Sequence, residues 1–519
     1  MLERLAERVH TRDVGLEPVE DELISDWTTS DLTVTVVRPR DAAEVPEAGA
    51  QVTLGAGVTL MGHQDFKARA SLASTAEVGR ALGPLTVPAV FRDDPDLSQA
   101  FLFEAARGTD PGLGALQLTD ISNPEAVTAA TPLRLRVAAS LAPDERVIPY
   151  AWDGEFYLPL GSGRTIDDAV EIELRQIPVF RTDWDVERGI ISSIRILFQK
   201  IASPYLGIAF DYPQLAAVDF DAERRPAYEK TAAAVRAKVA DAEKILLYVH
   251  GIFGDTMGMT AAAVADTATA GTAAERIASR YDLVLAFDYE NINTSIKETA
   301  RALKNRLAAV GIGAGHGKTL HVVAHSMGGL VTRWFIEQEG GHQIVQHLVT
   351  LGTPHAGSPW PTIENWATAA LAIGLNGLNQ VAWPLSLLGD LAGAVETVDV
   401  TLDEMAPNSS LLKELELGSD PNVPYTLLIG NTSIIPTAVA NGTLQALLAR
   451  LSPRRVLHNV TALAFVNTPN DIAVAVSSAQ SIPQSRLPAP VTSEVACDHI
   501  TFFNTEPGRR ALLEALQRA

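Results

Sequence analysis

The chain reads as two unlike halves: a β-rich N-terminal domain and a C-terminal α/β unit built on a mostly parallel sheet. Three observations predict this. Up to about residue 235, short runs alternate apolar and charged side chains, as in Leu133-Arg134-Leu135-Arg136-Val137 and Val170-Glu171-Ile172-Glu173-Leu174. From Ile245 onward, unbroken apolar runs alternate with helical stretches. With 519 residues, the chain also exceeds what one hydrophobic core usually serves. The expected domains are therefore residues 1–235 and 236–519.

Period-two alternation leaves one wet face and one buried face, which is the mark of antiparallel sheet. Leu32 to Val37, Leu133 to Val137, Val170 to Leu174 and Ile194 to Phe198 are the clearest such runs, and Gly/Pro turns separate them. A sandwich-like arrangement is expected. The aromatic cluster from Val147 to Tyr157 reads first as a packed hairpin and second as a carbohydrate or partner surface.

An alanine-rich charged helix over residues 225–243 reads as a connector. Apolar strands then follow at Ile245–Val249, Leu283–Phe287, Leu320–Val323, His347–Leu351, Tyr425–Ile429 and Leu463–Val466, with helices expected at 273–280, 295–310 and 507–516. Strands that are apolar throughout belong to a parallel sheet covered by helices on both faces, and such sheets bind ligands at their carboxyl ends.

The composition excludes several roles. A formal net charge of −21, carried mostly before about residue 240, disfavours nucleic acid and anionic lipid as partners. No tight carboxylate cluster suggests a metal, and no cofactor is expected. The one cysteine, Cys497, rules out a disulfide within the chain and reads as a small apolar filler. The first residues, Met1 to Arg8, are charged and lack a signal-peptide core, so the expected location is cytoplasmic; a chain whose leader had been removed would read the same.

The most specific segment is Ala324-His325-Ser326-Met327-Gly328-Gly329, set between a short apolar strand and a helix. A serine on such a tight turn is strained and exposed, so the residues two positions away on each side must be small. Ser326 is the candidate nucleophile. It needs a base, an acid to orient that base, and donors for the oxyanion. His250-Gly251-Ile252-Phe253-Gly254-Asp255 follows the first apolar strand and resembles the His-Gly turn that α/β-hydrolases place there, which implies the backbone amides of Ile252 and Met327 as the candidate donors. Of 11 histidines, His499 is the candidate base, because it lies late in the chain just before a final helix; His458 is a rival. Asp471, in a turn-rich loop between the two, is the candidate acid, with Asp390, Asp399, Asp403 and Asp498 as rivals. The turn residues His250, Gly251, Phe253, His325 and His355 are candidate substrate contacts, and the turns are expected to use the three histidines structurally.

Taken together, the His250-Gly251 turn with Gly254, the Ala-His-Ser-Met-Gly-Gly turn, and Gly352-Thr353-Pro354-His355-Ala356-Gly357-Ser358 resemble the α/β-hydrolase lipases and esterases. The loop around Asp471 is similar to that family's acid loop, with Asp-Ile where the family usually has Asp-Gly. The resemblance covers about residues 240–519 and implies hydrolysis of a carboxylic ester through an acyl-enzyme. An insertion at about residues 360–416 is apolar and nearly uncharged, but Asn376, Asn379, Gln380 and Pro384 argue against a membrane span. It reads as a helical lid, with a buried helix pair as the alternative. A lid implies a hydrophobic ester or lipid substrate. A phospholipase or acyltransferase, an amidase, and an interaction protein on a relic hydrolase fold are the competing readings. The N-terminal domain is left with an unknown partner.

Overall fold

The structure is a computed structural model. It describes residues 42–74, 88–92, 98–104, 112–178 except 154, 191–202, 213–252, 256–289 except 270, 294–360, 363–378, 401–436, 443, 446–447, 450–451 and 468–518, together with two short paired strands at 26–29 and 32–35.

The N-terminal region is a 12-stranded antiparallel sheet. Its alternating runs behave as their sequences require. In Leu133–Val137 every second residue is buried, and Arg134 and Arg136 point outward to Glu173 (3.0 Å) and Asp168 (3.2 Å). Arg134 and Glu173 are direct cross-strand partners, the position where opposite charges help pairing. The expected sandwich takes a different form, because the strands follow one hydrogen-bonded path instead of forming two separate sheets. That path curls back on itself. His63, just past the strand Val58–Met61 near one end, donates its amide to the carbonyl of Pro46, just past the strand Ala43–Glu44 at the other (3.0 Å).

The second sheet has eight strands: β1 (Gln214–Phe220), β2 (Pro226–Glu229), β3 (Lys244–Val249), β4 (Leu283–Asp288), β5 (Thr319–His325), β6 (His347–Leu351), β7 (Tyr425–Gly430) and β8 (Val491–Val495). Their order is β2-β1-β4-β3-β5-β6-β7-β8. β3 to β8 are mutually parallel, and β1 runs antiparallel to both of its neighbours. β1 and β2 precede residue 236, so this sheet begins earlier in the chain than the sequence grammar suggested. The alanine-rich connector is correspondingly short, Ala232–Asp241.

Successive residues of the central strands feed opposite faces, and both faces are covered. Leu247, Val249, Val322 and Ala324 join a core with the helices Ile296–Ala309 and Met327–Gln338. Leu246, Tyr248 and Val323 pack instead with the helices Met257–Ala263 and Glu506–Gln517. The helix expected at 273–280 is only a short 3-10 turn, Ile277–Arg280. The strand expected at Leu463–Val466 lies outside the described residues. Within the insertion, Ile363–Leu375 is a helix whose Ala367, Ala369, Ala370, Leu371, Ala372, Ile373 and Leu375 are all buried, in the core that also holds the β-rich domain. No helix among the described residues is long and apolar enough to cross a membrane.

Candidate active site

Every loop of interest leaves the same end of the second sheet, because parallel strands all deliver their carboxyl ends to one edge. Ser326 sits between β5 and the helix Met327–Gln338 at φ 53°, ψ −126°, a conformation side chains rarely adopt. Holding it there costs roughly 1–3 kcal/mol, which the surrounding packing must offset. Small neighbours make the bend feasible. A Cβ at Gly328 would run into the carbonyl oxygen of His250, and one at Gly251 would lie 2.7 Å from Cβ of Ser326. The His250–Ile252 turn therefore lies directly against the serine.

His499 follows β8 and is fastened through both of its backbone groups. Its amide donates to the Asp471 carbonyl (2.8 Å), and its carbonyl accepts from Nε2–H of His325 (2.7 Å). Its Nδ1 lies 2.8 Å from Asp471 Oδ2, and its Nε2 lies 2.9 Å from Ser326 Oγ. Since a carboxylate can only accept, Nδ1 carries the proton and Nε2 is left to receive one from the serine hydroxyl. The second carboxylate oxygen of Asp471 accepts from the amides of Ala473 (3.0 Å) and Val474 (2.7 Å). Ser326, His499 and Asp471 are all buried. Gly352, at φ +56°, leaves room for the pair, since a Cβ there would lie 2.8 Å from Asp471 Oδ2 and 3.0 Å from His499 Nδ1.

The Gly352–Ser358 segment and the Asp471 loop are laced together. Ser358 Oγ donates to the Ala473 carbonyl (2.9 Å), Ser478 Oγ donates to the Gly357 carbonyl (2.7 Å), and Trp360 Nε1 donates to the Ile472 carbonyl (3.1 Å). Ile472 occupies φ +84°, a left-handed conformation that glycine adopts freely and a β-branched residue resists. Its amide is held by Asn470 Oδ1 at 2.8 Å.

The three histidines offered as candidate substrate contacts are engaged by the protein itself, in keeping with the structural use expected of them in their turns. His250 donates Nδ1–H to the Gly251 carbonyl (2.7 Å), accepts the Tyr289 amide at Nε2 (3.2 Å), and stacks on the Tyr289 ring. His355 lies between Arg333 (3.2 Å) and Thr350 (3.2 Å). His325 anchors the His499 peptide. Burial pushes all three below the usual imidazole range, His325 down to about 3, so each is neutral. Phe253 lies outside the described residues. Met327 opens a helix whose first amides have no partner within the helix, and Ile252 follows Gly251, the residue that lies against Ser326. Among the rivals, Asp498 spends its Oδ1 on the amides of Ile500 and Thr501 (2.9 Å each), and Asp403 is exposed. Asp390, Asp399 and His458 lie outside the described residues.

Several neighbours of the site were not anticipated. Trp366, on the helix Ile363–Leu375, stands edge-on to His499 with ring centroids 6.3 Å apart. Tyr289 donates its hydroxyl to the His250 carbonyl at 2.7 Å. Arg333 is buried, with its Nε 2.9 Å from Glu337, which also holds Arg486 at 2.7 Å. The i, i+4 spacing of Arg333 and Glu337 in an otherwise apolar helix is the one signal that could have marked that cluster beforehand.

A mixed sheet with a serine on a strained turn after a central strand, and an imidazole and a carboxylate delivered by later loops, is the architecture of the α/β-hydrolases. The chain belongs to a family described as "Domain of unknown function (DUF7379)", whose model matches residues 214–517. Among solved structures, it is similar to the mature lipase BlEst2 of Bacillus licheniformis at 18% identity, covering 54% of this chain and 92% of that one, with a TM-score of 0.34. It is also similar to an esterase of Pyrococcus furiosus (11% identity, 60% and 96% coverage, TM-score 0.29) and to the phospholipase PlaB of Legionella pneumophila (17%, 36% and 39%, 0.23). These likenesses are loose. No curated protein matches the chain.

Proposed function

We propose that this protein is a serine hydrolase of carboxylic esters with a hydrophobic acyl group, acting through Ser326, His499 and Asp471. The observation that carries the reading is the unbroken contact chain from Ser326 Oγ through His499 to Asp471, at 2.9 and 2.8 Å. His499 Nε2 takes the serine proton as Oγ attacks the ester carbonyl. Asp471 holds the imidazole in the required tautomer and stabilises the imidazolium that forms. The amides of Ile252 and Met327 receive the oxyanion, and one such donor is worth about 3–4 kcal/mol in a comparable enzyme. His499 then protonates the departing alcohol, and water, deprotonated by the same imidazole, releases the acid. None of these steps needs a metal or organic cofactor.

The apolar helix beside His499 supports a hydrophobic acyl group, with Ile363–Leu375 acting as a cover. His250, His325 and His355 serve to hold the oxyanion turn, the base and the Gly352–Ser358 loop. Turnover of p-nitrophenyl esters of increasing chain length is the test. Medium or long acyl groups should be preferred, and Ser326→Ala should lower kcat by about 10⁶. Turnover undiminished in that variant would overturn the reading. Cleavage confined to phospholipids, or acyl transfer to an added alcohol, would redirect it to a phospholipase or acyltransferase.

A further inference from the structure

The His250–Ile252 turn is held from behind by the strand beside it. β3 and β4 are parallel, and Val249 pairs with Phe287 at their carboxyl ends. The residues that follow are therefore neighbours, His250 on one side and Asp288 with Tyr289 on the other. Asp288 accepts the Thr256 amide at Oδ1 (2.9 Å) and the Thr256 hydroxyl at Oδ2 (3.1 Å). Tyr289 meets His250 in three ways. Its hydroxyl donates to the His250 carbonyl (2.7 Å), its amide donates to His250 Nε2 (3.2 Å), and its ring stacks on the imidazole with centroids 4.3 Å apart. Two consecutive residues thus hold both ends of the loop from His250 to Thr256.

The tautomer of His250 follows from its partners. A backbone amide can only donate, so Nε2 accepts and Nδ1 carries the proton. The Gly251 carbonyl, 2.7 Å from Nδ1, can only accept, and it demands the same tautomer. Both ring nitrogens are occupied, so the imidazole has none left for substrate. The Gly251 carbonyl shares one planar unit with the Ile252 N–H, and in a trans peptide the two point in opposite directions. With the carbonyl turned to the His250 ring, the Ile252 N–H is turned away from it. Gly251 itself lies against Ser326.

We infer that Tyr289 is a positioning residue for the oxyanion: through His250 it locks the Gly251–Ile252 peptide with the Ile252 N–H directed at the charge that develops beside Ser326. The inference deepens the hydrolase reading and rests on it for its consequence. A flipped peptide would present a carbonyl oxygen to that charge. The hold therefore acts on the transition state and hardly on the bound ester.

The test uses the full chain. Tyr289→Phe removes the hydroxyl and keeps the ring and the amide. Its kcat on a p-nitrophenyl ester should fall about tenfold with KM unchanged. His250→Phe keeps a flat ring without the Nδ1 donor and should lose about a hundredfold in kcat. His250→Asn restores a donor for the Gly251 carbonyl and should recover most of that loss. An alkylboronic acid bonded to Ser326 Oγ places an oxygen where the oxyanion forms, so its affinity should weaken in step with kcat in each variant. The pH of half-maximal kcat/KM should stay fixed, because His499 and Asp471 keep their contacts. One readout needs no catalysis. In protein carrying isotope-labelled histidine, the imidazole signals lost in His250→Asn should show a protonated Nδ1 and a bare Nε2 at neutral pH. Losses confined to KM, a Tyr289→Phe variant with unchanged kcat and boronate affinity, or a proton on Nε2 would overturn the inference. Should Tyr289→Phe fail to fold, the two His250 variants carry the same decision. A wild type with the expected tautomer that neither binds the boronate nor turns over an ester would leave the hold on the turn standing and sink the hydrolase reading.

Discussion

The strands Leu133–Val137 and Lys244–Val249 are of similar length and are built by opposite rules. In the first, buried residues alternate with exposed arginines that pair across the strand. In the second, every residue after Lys244 is fully buried. The first strand needs cover on one side only, and its neighbours in the sheet supply much of what it requires. The second needs helices on both sides, so each strand must leave the sheet and return. Those departures create the turns at which Ser326, Gly352 and His499 sit. The candidate site lies in the second region because its topology forces tight connections at one end of the sheet, whereas the antiparallel sheet closes on itself through local hairpins such as Gly161–Ile166 with Ala169–Leu174.

The sharpest way to break this contrast lies at the crowded edge. Asp471→Asn should fold normally yet lower kcat by about 10⁴, because an amide no longer enforces the His499 tautomer. Retention of most activity would mean that the carboxylate does not orient the base. Packing comes next. Leu247→Ala should cost about 2–5 kcal/mol in urea unfolding, against less than about 1 kcal/mol for Arg134→Ala on the wet face of the other sheet. Equal losses would erase the distinction between one-faced and two-faced strands.

Acid provides a third probe. His321 and His347, on adjacent strands β5 and β6, are pushed by burial from the ordinary 6.5 to about 4. Below 6.5 the unfolded chain binds protons that the folded one refuses. Stability carried by the neutral pair is therefore complete above about 6.5 and is lost as pH falls towards 4. Denaturation midpoints measured from pH 7 to 4 should fall steadily, and His347→Asn should flatten the slope. A slope unchanged by that substitution would remove the pair from the account.

The smallest expected effect is a reversal of sign. At Ile472, glycine should be more stable than alanine by about 1 kcal/mol, because φ +84° strains any Cβ. The ordinary order, alanine above glycine, would show that this loop relaxes.

The same contrast explains what could be read from the residue string. Runs whose burial follows from their own pattern were found, including Leu133–Val137, His347–Leu351 and the serine turn. β8 was missed because Val491–Val495 is an edge strand, largely exposed, with no apolar run to betray it. Pro226–Glu229 hid beside an alanine-rich stretch, and the helix Met257–Ala263 is too short for its period to show. The aromatic hairpin around Tyr157 was visible as a hairpin, but its partner Asn376 lies 219 residues away.

By itself, the sequence determined the features whose constraints are local: strand alternation, the strained serine between small residues, and the glycines that clear its surroundings. Only the tertiary structure decided that three of the histidines face inward, that His325 anchors the His499 peptide, and that Asn376 of the second region pairs with Tyr157 of the first sheet. The reason is distance along the chain. Ser326 and His499 are 173 residues apart, and a hydrogen bond between them depends on how eight strands stack, not on what lies beside either residue.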